Sequence, residues 1–135
     1  MDIILDKEVE KRAVETRFLQ WIVSDDGAIQ SDKCACCIVE MMPGSTAKPP
    51  HSHAKEEEAI YVLEGNGEII TEGGVSHPVE KGSFILMRCN EIHMLCNNGN
   101  VPLKAICFYS DNTDVSKYTF YPMEVVEKKG ADHEE

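Results

Sequence analysis

Basic residues are scarce in this chain. Lys and Arg number 13 against 24 Asp and Glu, for a formal net charge of −11 over 135 residues. Nucleic-acid binders need basic surface to displace counterions from phosphates, and anionic membranes attract basic surface as well. Neither partner is expected here. No segment reaches the ~18 apolar residues that a membrane span needs. The stretch from Met1 to Arg12 contains Asp2, Asp6, Glu8 and Glu10. A signal peptide would begin basic and continue apolar, so a cytoplasmic location is expected. There is no internal repeat, no low-complexity linker and no long 3.6-residue period in the middle. A sheet built from βαβ units is therefore disfavoured.

What is present fits a single globular domain. The length suits one domain of ~100–200 residues. Hydrophobic residues make up 42% and charged residues 27%, which is enough to build a core. The six cysteines include the cluster Cys34, Cys36 and Cys37. Without an export signal, they read as reduced thiols. Extended apolar runs cover Arg17 to Val23, Cys34 to Met42, Tyr61 to Leu63, Glu68 to Thr71, Phe84 to Met87, Ile92 to Cys96 and Leu103 to Tyr109. Between them lie Asp26-Gly27, Pro43-Gly44, Pro49-Pro50, Gly73-Gly74, Lys81-Gly82 and Asn97 to Asn100. Strands at ~8–12-residue spacing with such punctuation read as an all-β sandwich or barrel. The expected core is about 17–122. Residues 5–16 fit a short helix or an exposed arm, and 124–135 a frayed helix or charged tail.

The histidines carry the chemistry. His51 and His53 stand at i, i+2, so on a strand both imidazoles point to one face. The acids Glu56, Glu57 and Glu58 follow, and His93 sits in a second strand-like run. Neutral imidazoles and a carboxylate are the usual ligands of divalent transition metals.

The segment from His51 to Gly65 resembles the first motif of the cupin superfamily: His-x-His, three or four residues, Glu, six residues, Gly. Glu58 satisfies both gaps, and Glu57 would satisfy the shorter first gap. The segment from Gly82 to Asn97 resembles the second motif, with Gly82, His93 and Asn97 at the expected places. The spacer, Asn66 to Lys81, is 16 residues long. Three positions depart from the pattern. Gly44 precedes His51 by seven residues rather than six, Arg88 replaces a proline, and Asn90 replaces a glycine. Asn tolerates the left-handed backbone that such a turn needs. The resemblance spans roughly 38–109. It implies a single-domain cupin, a double-stranded β-helix or jelly-roll barrel. It also implies one divalent metal per chain, iron, zinc, nickel or manganese, held by His51, His53, Glu58 and His93. A homodimer is implied too, with the Phe18 to Val23 run and Trp21 as a candidate interface.

Other residues weigh less. Glu56 and Glu57 read as solvated charges. Alternation puts Cys34 and Cys36 on one face and Cys37 on the other, so three converging thiolates are not expected, and buried free cysteines behave as small hydrophobes. Cys89 falls in a turn and Cys96 points away from His93. On Leu103 to Tyr109, the residues Leu103, Ala105, Cys107 and Tyr109 are expected to face inward, because Lys104 belongs on the wet face. Tyr109 is then a candidate acid/base or hydrogen-bond donor, against the alternative of a packed core tyrosine. His77 reads as a surface turn residue, His133 as part of the tail and Arg88 as a surface arginine.

The function expected from this resemblance is metal-dependent chemistry on a small polar or carboxylate-bearing molecule, with isomerase, lyase and oxygenase reactions all open. The alternative is a non-catalytic, ligand- or carbohydrate-sensing cupin.

Overall fold

The computed structural model describes residues 1–128, so the expected tail from 129 onward and His133 lie outside the described residues. Twelve strands occur among the described residues. They are β1 (Arg12–Val14), β2 (Arg17–Ser24), β3 (Ile29–Gln30), β4 (Ala35–Met41), β5 (His51–Ser52), β6 (Glu58–Glu64), β7 (Asn66–Thr71), β8 (Val75–Glu80), β9 (Phe84–Met87), β10 (His93–Cys96), β11 (Leu103–Tyr109) and β12 (Thr119–Phe120). They form two sheets. The larger runs β1-β2-β4-β11-β6-β9, with β3 parallel to β2. The smaller runs β12-β5-β10-β7-β8. This is the all-β, double-stranded β-helix arrangement that the sequence pointed to.

Alternation explains the core. On β11 the side chains of Leu103, Ala105, Cys107 and Tyr109 are buried, while Lys104 and Ile106 are half-buried and Phe108 is exposed. β11 lies between β4 and β6, so its inner residues meet Val39, Met41, Ile60 and Val62. Ile69, Val79 and Leu95 close the core from the smaller sheet. All four residues of β10 are buried. Its second face carries Met94 and Cys96, which pack against Val126 from the 3-10 turn Met123–Val126. A strand covered on both faces loses the polar alternation of a half-buried one.

Several elements differ from the expectation. The N-terminal arm contains a strand, β1, which pairs with β2 across the turn Glu15-Thr16. β8 was hidden by its polar sequence and Pro78. It is an edge strand on which only Val79 is buried, and edges tolerate proline. His77 is therefore a strand residue, exposed and hydrogen-bonded to Thr71 Oγ1 at 3.0 Å. Packing also extends past residue 122, because Val126 is buried. Trp21 faces the interior at 8% exposure, so it is not surface available to a dimer interface.

The unusual turn before β10 works as the sequence suggested. Asn90 adopts φ +68 and its N–H donates to the His53 carbonyl at 2.8 Å. The Arg88 N–H donates to Glu91 Oε1 at 2.7 Å, a bond that proline would forgo. Gly65 is required between β6 and β7. Its φ is +83, and a Cβ there would lie 2.4 Å from the Pro102 carbonyl oxygen. No helix among the described residues is long and apolar enough to cross a membrane.

Candidate metal centre

The two sheets meet at one polar cluster. His51 on β5 and His93 on β10 are direct antiparallel neighbours, with ring centroids 4.4 Å apart. His53 follows just beyond β5, and its backbone carbonyl is pinned by Asn90. Glu58 opens β6 on the opposite sheet. The structure brings all four side chains together, with one ligand atom of each within 4.8 Å of the others. Glu58 Oε1 lies 3.0 Å from His53 Nε2 and 3.3 Å from His93 Nε2. Ligands held ~2.1 Å from one ion are separated by about 3.0–3.4 Å, so the observed spacing fits a shared cation with little movement.

The ring orientations are also set for ligation. His93 Nδ1–H donates to the Glu91 carbonyl at 2.9 Å. That leaves Nε2 facing inward, buried and without a hydrogen-bond partner among the described residues. His53 Nδ1 lies 3.3 Å from Glu56 Oε2. Outer partners of this kind fix the tautomer and aim the remaining nitrogen lone pair. Glu56 is thus a correction: at 2% exposure it is no solvated charge, but sits behind His53. Glu57 instead faces outward, 3.3 Å from Arg88 Nη1. That arrangement separates Glu58 from Glu57 and leaves Arg88 on the surface.

Electrostatics follow from burial and contact. Burial pushes the Glu58 carboxyl up, but the His53 hydrogen bond and the adjacent His93 outweigh it and hold the group below the usual carboxylate range. Burial lowers His51 to about 3, with His93 adding to the effect. For His93, burial pulls downward, yet the Glu58 carboxylate beside it raises the net value. Burial and then the charge of Glu58 raise Cys107 and Tyr109 well above their ordinary values. The thiol therefore stays protonated and the phenol neutral.

A cavity of about 90 Å³ opens from the cluster. His51, Glu58, His93, Trp21, Tyr109 and Tyr118 are among its walls. Tyr109 lies in the wall as the alternation of β11 requires, and its hydroxyl accepts from the Tyr118 hydroxyl at 2.9 Å. The sequence reading missed Tyr118. It stacks on His51 at 4.9 Å and 9°, and meets His53 edge-on at 4.4 Å. The two-residue β12 pairs with β5, Phe120 opposite His51, and so places Tyr118 there. The only signal in the sequence was the short aromatic run Tyr118 to Tyr121. Asn97 is 1% exposed and is not a ligand. It ties the end of β4 to the loop after β10 by donating to the Met41 and Val101 carbonyls at 2.9 and 2.8 Å and accepting from the Gly99 N–H at 2.9 Å.

With fold and cluster in place, comparison with known proteins is direct. The family model for the cupin domain matches residues 37–109, and the chain belongs to that family. A curated relative, the uncharacterized protein MJ1618 of Methanocaldococcus jannaschii, is 40% identical over 57 residues, 42% of this chain and 45% of its own. The chain spans less than half the length of the curated relatives it matches. A double-stranded β-helix protein from Klebsiella pneumoniae superposes with a TM-score of 0.73 at 12% identity, over 89% of this chain and 91% of that one. A predicted oxalate decarboxylase from Thermotoga maritima gives 0.71 at 19% identity, over 82% and 99%. These structural likenesses establish the fold alone.

Proposed function

We propose that this protein is a metal-dependent enzyme for a small carboxylate-bearing molecule. The observation that carries this reading is the convergence of His51, His53, Glu58 and His93 on one point, three of them on the wall of a small cavity. The donor set is two-element, nitrogen and oxygen, which suits iron, zinc, nickel or manganese. His51, His53, Glu58 and His93 would hold one such ion. When bound, the ion would supply Lewis-acid polarisation of a substrate oxygen and lower the pKa of a bound hydroxyl.

The chain's own residues do the rest. Glu91 and Glu56 orient the imidazoles of His93 and His53. The raised phenol of Tyr109 keeps its proton at neutral pH, which favours hydrogen-bond donation over base catalysis. The hydroxyl of Tyr118 donates to it, so the Tyr109 proton is free to point into the cavity. Trp21 and Tyr118 exclude water, which strengthens every polar contact inside. The predicted oxalate decarboxylase among the fold neighbours makes carbon–carbon lyase chemistry a natural first assay.

The test is turnover of small hydroxy- and oxo-acids by protein loaded with each metal in turn. Substrate loss without dioxygen uptake supports isomerase or lyase chemistry. Matching dioxygen uptake assigns an oxygenase. Tight binding with no conversion supports the non-catalytic alternative and overturns the enzymatic reading.

A homodimer remains part of this proposal, now through the outer face of the larger sheet. Phe84, Phe108 and Leu86 are 81%, 48% and 46% exposed there. The acidic net charge argues against nucleic acid, and the reduced-thiol reading keeps the cytoplasm as the proposed location.

A further inference from the structure

Arg17, Leu19 and Trp21 share the inward face of β2, and all three line the cavity that contains His51, Glu58 and His93. The Arg17 side chain is half-buried. Its Nη1 is cut off from solvent and has no hydrogen-bond partner among the described residues. No carboxylate of the described residues lies within ion-pair distance of it. Glu15 favours its charge through space, but is exposed and does not form an ion pair. A guanidinium stays protonated under all ordinary conditions. A buried donor without a partner is costly, and native proteins satisfy nearly all of them. An unpaired guanidinium nitrogen on the wall of a cavity therefore marks the place of an anionic group.

We infer that Arg17 is a specificity-determining residue that receives a substrate carboxylate on the wall of this cavity. The planar guanidinium fork matches a carboxylate through two parallel hydrogen bonds. The same cavity has apolar lining from Leu19, Val39, Ile60 and Leu95. The substrate class follows: a small acid with a carboxylate at one end, a chelating oxygen group at the other and a short apolar body between. Lys48 also lines the cavity but is exposed, so its charge is solvated and contributes less. The identity of the far end rests on the function proposed above. The carboxylate site does not.

Trp21 is the single tryptophan of the chain and lines the same cavity, so its fluorescence reports occupancy. The experiment titrates the chelator-treated 135-residue protein with butyrate and with butyramide, which have the same shape and differ in charge. Butyrate is expected to bind about tenfold or more tightly than butyramide, the scale of a hydrogen bond to a charged group. Arg17→Met should abolish that preference, Arg17→Lys should reduce it, and Lys48→Met should keep it. Equal binding of both probes to the parent, no binding of either, or a preference that persists in Arg17→Met overturns the inference. If Arg17→Met does not fold, a preference unchanged in Arg17→Lys overturns it instead. These titrations contain no metal, so their failure leaves the metal centre standing. Loss of the metal reading, tested by elemental analysis, leaves the carboxylate site standing.

Discussion

His53 Nε2 and Glu58 Oε1 lie 3.0 Å apart, although one follows a strand of the smaller sheet and the other opens a strand of the larger. The two walls of the barrel therefore touch through a pair of potential metal ligands. Both residues are buried, at 1% and 4% exposure. Charges so placed must be paired or bound to a cation.

The three neighbouring acids separate by position. Glu58→Gln removes the carboxylate ligand and should abolish tight metal binding. Glu56→Gln removes only the outer partner of His53 and should weaken it by roughly 10–100-fold. Glu57→Gln should leave it unchanged, because Glu57 pairs with Arg88 on the surface. Competition against a fluorescent chelator measures all three. Equal losses in Glu57→Gln and Glu58→Gln would contradict the assignment.

The metal-free protein should be acid-sensitive. His51 has a folded pKa of about 3 against an ordinary 6.5, so the fold favours the neutral ring. That stabilisation is present above about 6.5 and is lost as pH falls toward about 3. Glu58, depressed below its ordinary 4.5, contributes above that value and loses its contribution as pH falls below it. His93 acts in the opposite sense. Its raised pKa stabilises the fold below about 6.5 and loses that effect as pH rises through its folded value. Thermal melts of chelator-treated protein from neutral pH downward should show a falling Tm. The fall should be shallower in His51→Gln. Parallel curves would count against His51 as the source.

Asn97→Ala should destabilise the fold without emptying the centre. It removes three hydrogen bonds, one buried and two partly buried, that join the end of β4 to the loop holding Gly99 and Val101. A cost of about 2–4 kcal/mol is expected from their loss. Urea unfolding gives that number, and metal content of the folded variant should match the parent.

The outer face of the larger sheet should mediate association. Phe84→Glu places a charge at its most exposed aromatic residue, and sedimentation velocity should show the parent as a dimer and the variant as a monomer. A monomeric parent at micromolar concentration would remove the homodimer from the account.

The sequence was most readable where side chains alternate. β9 and β11 match their apolar runs residue for residue, and the inward set on β11 follows from keeping Lys104 wet. The turn at Asn90 was legible because few residues besides glycine take φ +68 at low cost. Short or polar elements were not legible. β5 and β12 are two residues each, and β8 contains Pro78. Glu56 lies in a loop, where no period says which way a side chain points. Tyr118 and Arg17 reach the cavity only through long-range pairing, β12 with β5 and β2 with β4. Such contacts leave no local pattern.

Elemental analysis of freshly purified parent and His53→Ala protein tests the metal centre most directly. About one first-row transition metal ion per chain is expected in the parent, and little in a variant that stays folded. A parent that carries no metal and takes up none of iron, zinc, nickel or manganese would contradict it, as would a variant that retains the parent's full complement.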